Sequence, residues 1–552
     1  MSYDETVAAI TGPGGAFELV TQTVGGLEMP VFKNRFGSLR ELLSHSLEFG
    51  DAEFAVWDNG VRWSFATHER LVASVAAALR EKHGIGSGSR VAILASNRPE
   101  WLLTAWATLS LGGVVVAMNG WWQGDEIRYG LELSEPDMLV VDRARLERLA
   151  DHAHGVPTIV IEDDFASYQD HDRNAALSDA PIAEDDLATI MFTSGTTGRP
   201  KGAMISHRNF IAFLQMNFCN GAIAFMTNPP KEEMPPTVSI VSSPLFHVSG
   251  FQGAAMMGLA SGLKAVWTTG RFDPKKIMRL TLEEGVNRWG GITTQLWRLI
   301  EDPDFEPEKF RQIRSTGGGG SAFSPDLQRT LREKLPQATD SFNVGYGFTE
   351  CAGLCSLANG DLLLEHPDVV GRTVPGNDVA IFDDAGQRLP DGVDGNICVR
   401  GANVMLGYWR NPEATAEAFF DDGWLRSGDI GQMRDGLLFL ASRKRDMIIR
   451  GGENIYPLEI ENRIDDHPGV KEVAVVGVDH RTLGQEVKAI VVPHPGVSLD
   501  PKQLQEFIAE TLAYYKVPSY VEIRHEPLPR NATGKVLKPV LLGEVENTFQ
   551  EE

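Results

Sequence analysis

The chain has 552 residues, enough for three or four domain-sized units or for fewer large ones. Hydrophobic residues make up 42% and charged residues 23%, as in ordinary globular proteins, which argues against a disordered chain or a fibrous repeat. The 51 Lys and Arg against 75 Asp and Glu give a formal charge of −24, so nonspecific binding to nucleic acid or to an anionic membrane is not expected.

The N-terminus and the cysteines indicate the compartment. No basic segment followed by an apolar stretch occurs at the N-terminus, so no secretory signal is predicted and we expect the protein in the cytoplasm. The four cysteines, at positions 219, 351, 355 and 398, are too few for a disulfide framework and lack the pairing of a zinc site. We therefore expect reduced, structural thiols.

The first two-thirds of the chain has the pattern of an α/β protein. Short apolar runs at 91–96, 138–142, 158–162 and 188–192 alternate with amphipathic stretches and Gly-rich turns. An uncharged stretch at 101–124 is long enough to cross a bilayer. Because Gly112 and Gly113 divide it into a helix-like and a β-branched part, a buried helix and strand are predicted and no membrane span is expected.

The residue composition of the sequence changes near residue 443. A charged cluster, SRKRD, is followed by the turn-rich segment RGGENIYP, and then by two apolar runs, VKEVAVVGV and VKAIVV, that predict strands. Asp500, Pro501 and Gln503 predict the start of a helix as N-cap, first-turn proline and capping-box partner. A smaller C-terminal domain with its own core, joined by a short connection that serves as a hinge, is therefore predicted.

The most informative segment is 193–202, TSGTTGRPKG, directly after the predicted strand at 188–192. Glycines let backbone amides approach an anion, hydroxyl groups donate to phosphate oxygens and Lys201 supplies positive charge, so a polyphosphate-binding loop is predicted. The G-x-x-x-x-G-K-[ST] spacing is absent here and at Gly534-Lys535, which argues against a P-loop NTPase. A flexible surface turn is the alternative.

Three further segments carry candidate chemistry. In YGFTE, 346–350, a hydroxyl group stands beside the carboxylate of Glu350, a combination that suits Mg²⁺ next to phosphate, although a helix cap is the simpler interpretation. Asp429 and Arg443 suit a ribose diol, with a surface turn as the alternative. Lys535 lies in a Gly-supported loop near the C-terminus, where a lone lysine is usually only solvated.

Taken together, in this order and spacing, the four segments resemble the adenylate-forming superfamily of AMP-forming acyl-CoA synthetases, peptide-synthetase adenylation domains and firefly-type luciferases. The resemblance covers nearly the whole chain and continues through PLFHVSG (244–250), GGGSAF (318–323), GWLRSGDIG (423–431) and RKRDMIIRGGENIYPLEIE (443–461). It implies an α/β fold, with a large N-terminal domain of α/β subdomains and mixed sheets over 1–442. A hinge at 443–446 and a small, mobile α+β C-terminal domain at 447–552 would follow.

The resemblance also implies roles for individual residues. Thr349 would contact the α-phosphate of ATP and Glu350 would bind Mg²⁺, while Asp429 and Arg443 would hold the ribose hydroxyl groups. Lys535 would bridge the substrate carboxylate and the α-phosphate. The loop that would close on the β- and γ-phosphates contains Thr193, Ser194, Gly195, Thr196, Thr197, Gly198 and Lys201. The residues that would frame adenine are Gly320, Ser321, Ala322 and Tyr346.

The implied reaction has two steps. A carboxylic acid and ATP would give an acyl-adenylate and pyrophosphate, and the acyl group would then pass to CoA. Between the steps the C-terminal domain would swing about Arg445, a position where relatives usually carry Asp or Lys. The substrates would be small molecules, and the sequence leaves the oligomeric state open, a homodimer included.

Three interpretations of the acid and the acceptor compete. They are a CoA ligase, an amino-acid-activating enzyme that loads a carrier, and a luciferase-like or non-catalytic binder of adenylates. Amino-acid-activating relatives place an Asp after the Phe that corresponds to Phe246, whereas this chain has His247, and a binder would not need Lys535 and Glu350. No fused carrier domain is expected after Lys535, so CoA is the expected acceptor. A stand-alone enzyme that loads a separate carrier-protein thiol is the alternative.

The acyl pocket is expected to be lined by His247, Phe251, Gly318, Gly319 and Val344. The glycine run at 317–320 removes side-chain volume, which favours a medium- or long-chain fatty acid or another bulky apolar acid, with no charged contact for its tail. Two alternatives remain: His247 is only a core histidine, or the glycine run only serves adenine.

Overall fold

The computed structural model describes residues 1–149, 155–193, 199–229, 235–291, 293–319, 325–450, 453–531 and 534–545. Within these ranges, two large sheets and their helices form the N-terminal part, preceded by a hairpin of Leu19–Val24 and Leu27–Phe32. A separate small sheet follows at the C-terminus. The predicted α/β class with mixed sheets is confirmed.

The first of these sheets has seven strands. Its order is Gly407–Tyr408, Lys201–Ser206, Leu187–Thr193, Val114–Ala117, Arg90–Leu94, Met138–Val141 and Thr158–Val160. The last five strands of this order run parallel, and Lys201–Ser206 returns antiparallel to Leu187–Thr193. The predicted strands at 91–96, 138–142 and 188–192 are therefore present, whereas the run at 158–162 ends early and continues as the helix Ile161–Asp164.

The second sheet has fourteen strands, and residues of several of them line the large cavity of the structure. Its order is Asn377–Phe382, Gly395–Gly401, Trp424–Arg434, Leu437–Arg443, Val369–Thr373, Ser356–Asn359, Asn343–Tyr346, Ser315–Gly319, Arg288–Gly291, Val238–Val241, Lys264–Trp267, Glu53–Trp57 and Arg62–Ser64, with Phe419–Phe420 paired to Trp424–Arg434. Its parallel centre is covered by helices, as parallel sheets require, and its remaining strands are antiparallel.

The helices of the N-terminal part pack on these sheets. The α-helices are Tyr3–Thr11, Leu39–His45, Phe65–His83, Pro99–Ser110, Gly124–Ser134, Arg143–Arg148, Ile161–Asp164, Ala166–Gln169, His207–Thr227, Val248–Gly250, Met257–Ser261, Pro274–Glu284, Thr293–Ile300, Pro325–Lys334, Gly360–Glu365 and Pro412–Ala418, with a π-helix at Phe251–Met256. Short 3₁₀ helices are Ser46–Phe49, Pro307–Phe310, Pro336–Ser341, Thr349–Cys351, Asp421–Gly423, Lys444–Asp446 and, near the C-terminus, Tyr514–Lys516.

The uncharged stretch at 101–124 is interior structure. It contributes most of the helix Pro99–Ser110 and the strand Val114–Ala117, and apart from Glu100 the residues of both elements are buried. Another helix, His207–Thr227, is long and apolar enough by composition to cross a bilayer. Its side chains Phe210 and Leu214 belong to the main core, whereas Phe225 and Met226 near its C-terminal end are exposed.

The C-terminal part has its own sheet and core. Its strands are Glu453–Ile455, Ile448–Arg450, Gly484–Pro493 and Val470–His480 in that order, with Tyr520–Ile523 parallel to Gly484–Pro493, and its helices are Pro457–Asp465, Pro501–Ala509 and Lys538–Leu541. Asp500 caps the second of these helices, as predicted, by accepting from the nitrogen of Lys502. The reciprocal bond predicted from Gln503 is not found there.

The connection between the two parts is one short turn. The strand Leu437–Arg443 ends the large sheet, the 3₁₀ turn Lys444–Asp446 follows, and Ile448–Arg450 begins the C-terminal sheet. Lys444 forms an ion pair with Asp384 and a hydrogen bond of 3.3 Å to Oδ1 of Asn396, so its side chain is held by the large sheet. The four cysteines are free and buried, as predicted.

Candidate active site

One cavity of about 2640 Å³ collects almost every described residue that the sequence singled out. Its wall combines residues of the large sheet, of the connecting turn and of the C-terminal part. The predicted residues on its wall are Thr193, Lys201, His247, Gly318, Gly319, Val344, Tyr346, Thr349, Glu350, Asp429, Arg443, Arg445 and Lys535. Outside the described residues lie Ser194, Gly195, Thr196, Thr197, Gly198, Gly320, Ser321 and Ala322.

The ends of the predicted phosphate loop are fixed by strand pairing. Thr193 is the last residue of one strand and Lys201 the first of the next, and the two are direct antiparallel partners. Both ends of the predicted loop, Thr193 and Lys201, therefore lie on the cavity wall. The Lys201 ammonium lies 5.0 Å from the centre of the Tyr408 ring, a cation–π distance.

Glu350 is a desolvated carboxylate with one side-chain donor. The hydroxyl group of Tyr408 donates to its Oε1 at 2.8 Å. Desolvation by burial raises the pKa of Glu350, and the nearby charges of Arg443 and Lys201 oppose that shift. Tyr408 therefore contacts both Lys201 and Glu350. Sequence reasoning missed Tyr408, which lies 58 positions from Glu350 and belongs to none of the predicted motifs.

The surroundings of Glu350 fit a magnesium ion shared with phosphates. Mg²⁺ is usually held by one or two carboxylates together with substrate phosphates and water. In the described ranges no group of three His, Cys, Asp or Glu side chains forms a metal site by itself. A cation at Glu350 would stabilise the charged form of this carboxylate, which burial disfavours.

A second buried carboxylate, Asp429, is fixed from two sides. Asp429 and Arg443 are cross-strand partners in adjacent antiparallel strands, and Nε of Arg443 lies 3.7 Å from Oδ1 of Asp429. The hydroxyl group of Tyr346 donates to Oδ2 at 2.8 Å. Burial raises the pKa of Asp429, while Arg443 and Tyr346 stabilise its charged form. Sequence reasoning paired Asp429 with Arg443 but did not predict the bond from Tyr346.

Hydrogen bonds from residues 403 and 405 hold the segment that carries Thr349 and Glu350. The side-chain amide of Asn403 donates to the carbonyl oxygens of Cys351 at 2.9 Å and Leu354 at 3.1 Å. Met405 adds a backbone bond to the carbonyl of Glu350. Asn403 is a positioning residue that the sequence did not reveal, because an isolated Asn between strands carries no local signal.

His247 and Phe251, both predicted to line the acyl pocket, lie in different surroundings. His247 lies on the cavity wall, where its Nδ1 caps the short helix Val248–Gly250, and burial lowers its pKa to about 4. Phe251 is not among the described wall residues, and its ring is fully buried against Trp101. In this structure Phe251 therefore packs in the core, and its predicted place in the acyl pocket stays a prediction. The helical turn after His247 directs residues 253, 254 and 257 to the cavity and Phe251 to the core.

Glycines form part of the cavity wall beside Val344. Gly318 and Gly319 lie on it, and Gly317 approaches the next strand so closely that a Cβ atom would lie 2.0 Å from the carbonyl oxygen of Asn343. The neighbouring strand adds Gly290, where a Cβ atom would meet nothing within 4 Å. The same strand also places a charged residue, Arg288, on the wall, which the expectation of an uncharged acyl pocket did not include.

Lys535 lies on the cavity wall, and two hydrogen bonds join it to Asn531. Oδ1 of Asn531 accepts from the Lys535 nitrogen at 2.9 Å, and the Asn531 nitrogen donates to the Lys535 carbonyl at 2.8 Å. Arg530 donates to the carbonyl of Gly534 and to Glu472 of the C-terminal sheet. These hydrogen bonds hold the backbone of Lys535 at the cavity wall.

Comparison with known proteins gives consistent matches over most of the chain. The family described as AMP-binding enzyme matches residues 44–409, and the family described as AMP-binding enzyme C-terminal domain matches residues 459–535. The chain is 34% identical to feruloyl-CoA synthase from Amycolatopsis sp, over 90% of this chain and 96% of the relative. It is 30% identical to a long-chain-fatty-acid–CoA ligase from Escherichia coli O6:H1, over 93% of this chain and 95% of the relative.

A solved structure agrees with these sequence matches. ATP-bound MatB from Rhodopseudomonas palustris superposes with a TM-score of 0.79 at 30% identity, over 92% of this chain and all of that chain.

Proposed function

Because the chain belongs to the AMP-binding enzyme family and is an adenylate-forming acid–thiol ligase, we propose that it joins a bulky, largely apolar carboxylic acid to CoA. One observation supports this proposal above the others. A single cavity is lined by the carboxylates of Glu350 and Asp429 and by the two lysines Lys201 and Lys535. These groups suit ATP and a second anion in one place.

In the first step, we propose, a carboxylate oxygen of the acid attacks the α-phosphorus of ATP, and the bond to the β-phosphate bridging oxygen breaks. Pyrophosphate leaves and an acyl-adenylate forms. The two reacting anions repel each other, so Lys535 is assigned to bridge the carboxylate and the α-phosphate, with Thr349 as a hydroxyl donor. Asp429 and Arg443 hold the ribose. Mg²⁺ at Glu350 would neutralise phosphate charge.

In the second step, the CoA sulfur attacks the acyl carbon, and AMP leaves with the former carboxylate oxygen. The thiol proton passes to solvent. Lys535 is not needed here, and we propose that the C-terminal part, from 447 onward, turns about Arg445 to remove it from the reaction centre. The geometry of the connection supports this assignment, because Lys444 is held by Asp384, whereas the ion pair found for Arg445 among the described residues is with its neighbour Asp446 at 3.4 Å.

The acyl group is assigned to the part of the cavity beside the glycine strands. Relatives are named for feruloyl and for long-chain fatty acyl groups, both of which need space beyond the carboxylate. Gly290, Gly318 and Gly319 leave that space open. The free, buried thiols agree with a cytoplasmic location, which we propose with this function.

Pyrophosphate release tests the proposal. Purified protein, ATP and Mg²⁺ are combined with acetate, benzoate-sized acids and medium- to long-chain acids, each with and without CoA. We expect release that depends on a bulky acid and continues over many turnovers only with CoA. A preference for acetate, or release that stops after one turnover despite CoA, would contradict the assigned acid or the assigned acceptor respectively. The second result would favour a carrier-protein thiol.

A further inference from the structure

The starting observation is the direction of the Arg288 side chain. Arg288 lies in the strand Arg288–Gly291, and successive residues of a strand face opposite sides of a sheet. The next residue, Trp289, is buried on the side away from the cavity, where its Nε1 donates to Thr281 at 2.9 Å. Arg288 and Gly290 accordingly face the cavity, and both lie on its wall.

The guanidinium group of Arg288 has no counter-charge. Among the described residues it forms neither an ion pair nor a hydrogen bond, whereas Arg62 and Arg98 each pair with two carboxylates. The side chain is exposed to the cavity, but the surrounding protein desolvates it and lowers its pKa. A guanidinium that faces the cavity without a protein partner keeps its N–H donors available to an oxygen acceptor of a ligand.

The neighbours of Arg288 do not neutralise it. Its partners in the adjacent strands are Ser239 and Ser315, and both line the cavity. The hydroxyl group of Ser315 donates to the carbonyl of Ser341. Asp361 and Glu365 also line this cavity, and neither forms an ion pair with Arg288 among the described contacts.

Arg288 lies at the opposite end of the strands from the predicted reaction centre. It is level with Ser315, whereas Gly319, at the upper end of the same neighbouring strand, borders the proposed adenylate site. At about 3.3 Å per residue, these two levels are about 13 Å apart. Between them, Gly290 pairs with Gly317, and no side chain of either residue obstructs the passage.

We propose that Arg288 binds an oxygen acceptor, a carboxylate or a carbonyl, on the far part of the acyl group. This inference rests on the proposed function and adds a polar feature to its substrate. The acid is bulky and apolar near its reacting carboxylate and carries a second oxygen function deeper in the cavity. A planar guanidinium favours an acceptor that can take two hydrogen bonds, as a carboxylate does.

The experiment compares matched acids with the same chain length and a different far end. Each set has a methyl, a ketone and a carboxylate terminus, over medium and long chains, and the kcat/KM of acid-dependent pyrophosphate release is measured. We expect the oxygen-bearing acids to exceed the methyl acid by about 10- to 100-fold, the range for hydrogen bonds to a charged group. The ketone and carboxylate arms identify which acceptor is bound.

Three variants assign that preference. Arg288→Met should abolish it, mainly through KM for the oxygen-bearing acids, while the methyl acid reacts as well as before. Arg279→Met, which removes an exposed arginine on a helix, is the matched control and should retain the preference. Gly290→Leu should obstruct the passage and lower kcat/KM for long acids of every kind without backbone strain, because its φ is not positive.

The outcomes separate this inference from the proposed function. If acids are activated but the methyl acid is preferred, or if Arg288→Met leaves the ratio between acids unchanged, the role of Arg288 is wrong and the ligase function stands. If no acid gives pyrophosphate release, the proposed function itself fails. Because the readout is a ratio between substrates, a general loss of folded protein does not imitate the expected result.

Discussion

The hydroxyl group of Tyr346 donates a 2.8 Å hydrogen bond to Oδ2 of Asp429, a residue 83 positions later in the chain. Asp429 is buried, and its other oxygen faces Arg443 at 3.7 Å. The bond orients a desolvated carboxylate toward the cavity. Tyr346 is therefore a positioning residue for the proposed ribose site as well as a wall residue.

Tyr346→Phe removes this bond and little volume. The buried oxygen of Asp429 loses its donor, so we expect KM for ATP to rise about tenfold while KM for the acid is unchanged. Tyr520→Phe, at a tyrosine that is 49% exposed, is the control and should have no effect. An unchanged KM for ATP in Tyr346→Phe would show that Asp429 does not need this donor.

Tyr408→Phe tests the link between Tyr408 and Glu350. The ring that faces Lys201 remains, but the 2.8 Å bond to the carboxylate is lost. We expect the Mg²⁺ concentration for half-maximal pyrophosphate release to rise about tenfold because Glu350 is no longer oriented. Tyr408→Leu, which also removes the ring, should add a weaker affinity for ATP. A Mg²⁺ dependence equal to that of the unmodified protein would disprove the positioning role.

Lys535→Ala tests the division of labour between the two half-reactions. We expect adenylate formation to fall by about 10²- to 10³-fold, the usual cost of one electrostatic contact to a transition state. Thioester formation from synthetic acyl-adenylate and CoA should be largely retained. Lys538→Ala, at a nearby lysine paired with Glu461, serves as the control. Equal losses in both half-reactions would contradict the assignment.

Arg445→Pro tests the hinge. Proline fixes φ near −65° and would therefore restrict rotation in the turn Lys444–Asp446. We expect adenylate formation to persist and thioester formation to be lost, because the turn is locked. Arg445→Ala keeps the backbone free and should retain both activities. Normal thioester formation in Arg445→Pro would exclude a hinge at this residue.

His68 makes stability depend on pH. Its ring is fully buried beside Phe54, neither nitrogen has a partner, and burial lowers its pKa to about 3. In the unfolded chain His68 has an ordinary histidine pKa and becomes protonated near pH 5, whereas in the folded state its ring stays neutral. Stability should therefore fall as pH drops below about 6.5, by about 2 kcal/mol at pH 5 relative to pH 7.5.

Urea unfolding at the two pH values measures this effect. His68→Leu, which keeps an apolar side chain of similar size, should reduce the loss at pH 5 by that amount, whereas the exposed control His525→Leu should not. An equal pH dependence in the unmodified protein and in His68→Leu would contradict the prediction.

The sequence predicted the site best where function is concentrated in short motifs. Residues 193–202 and 346–350 combine glycines, hydroxyl groups and charges that few structural roles require. Thr193, Pro200, Lys201 and all five residues of 346–350 line one cavity. The contacts that orient them were not predictable, because Tyr408 and Asn403 act on residues about 50 positions away. Such contacts depend on how strands pair.

The acyl pocket shows the same limit. Phe251 follows PLFHVSG directly, yet the helical turn directs it into the core. Arg288 lies in an inconspicuous stretch, NRWGG, and only the alternation with buried Trp289 shows that it faces the cavity. Local sequence identifies which residue types are present, and the sheet decides which of them face the substrate.

The measurement that most directly tests the central claim follows one oxygen atom. A bulky acid labelled with ¹⁸O in its carboxylate is incubated with the protein, ATP, Mg²⁺ and CoA, and the products are analysed by mass spectrometry. Attack of the carboxylate on the α-phosphorus predicts one ¹⁸O in AMP for each acyl-CoA formed. Formation of ADP, or label in phosphate and not in AMP, would show that the acid is activated by another route and would contradict the account.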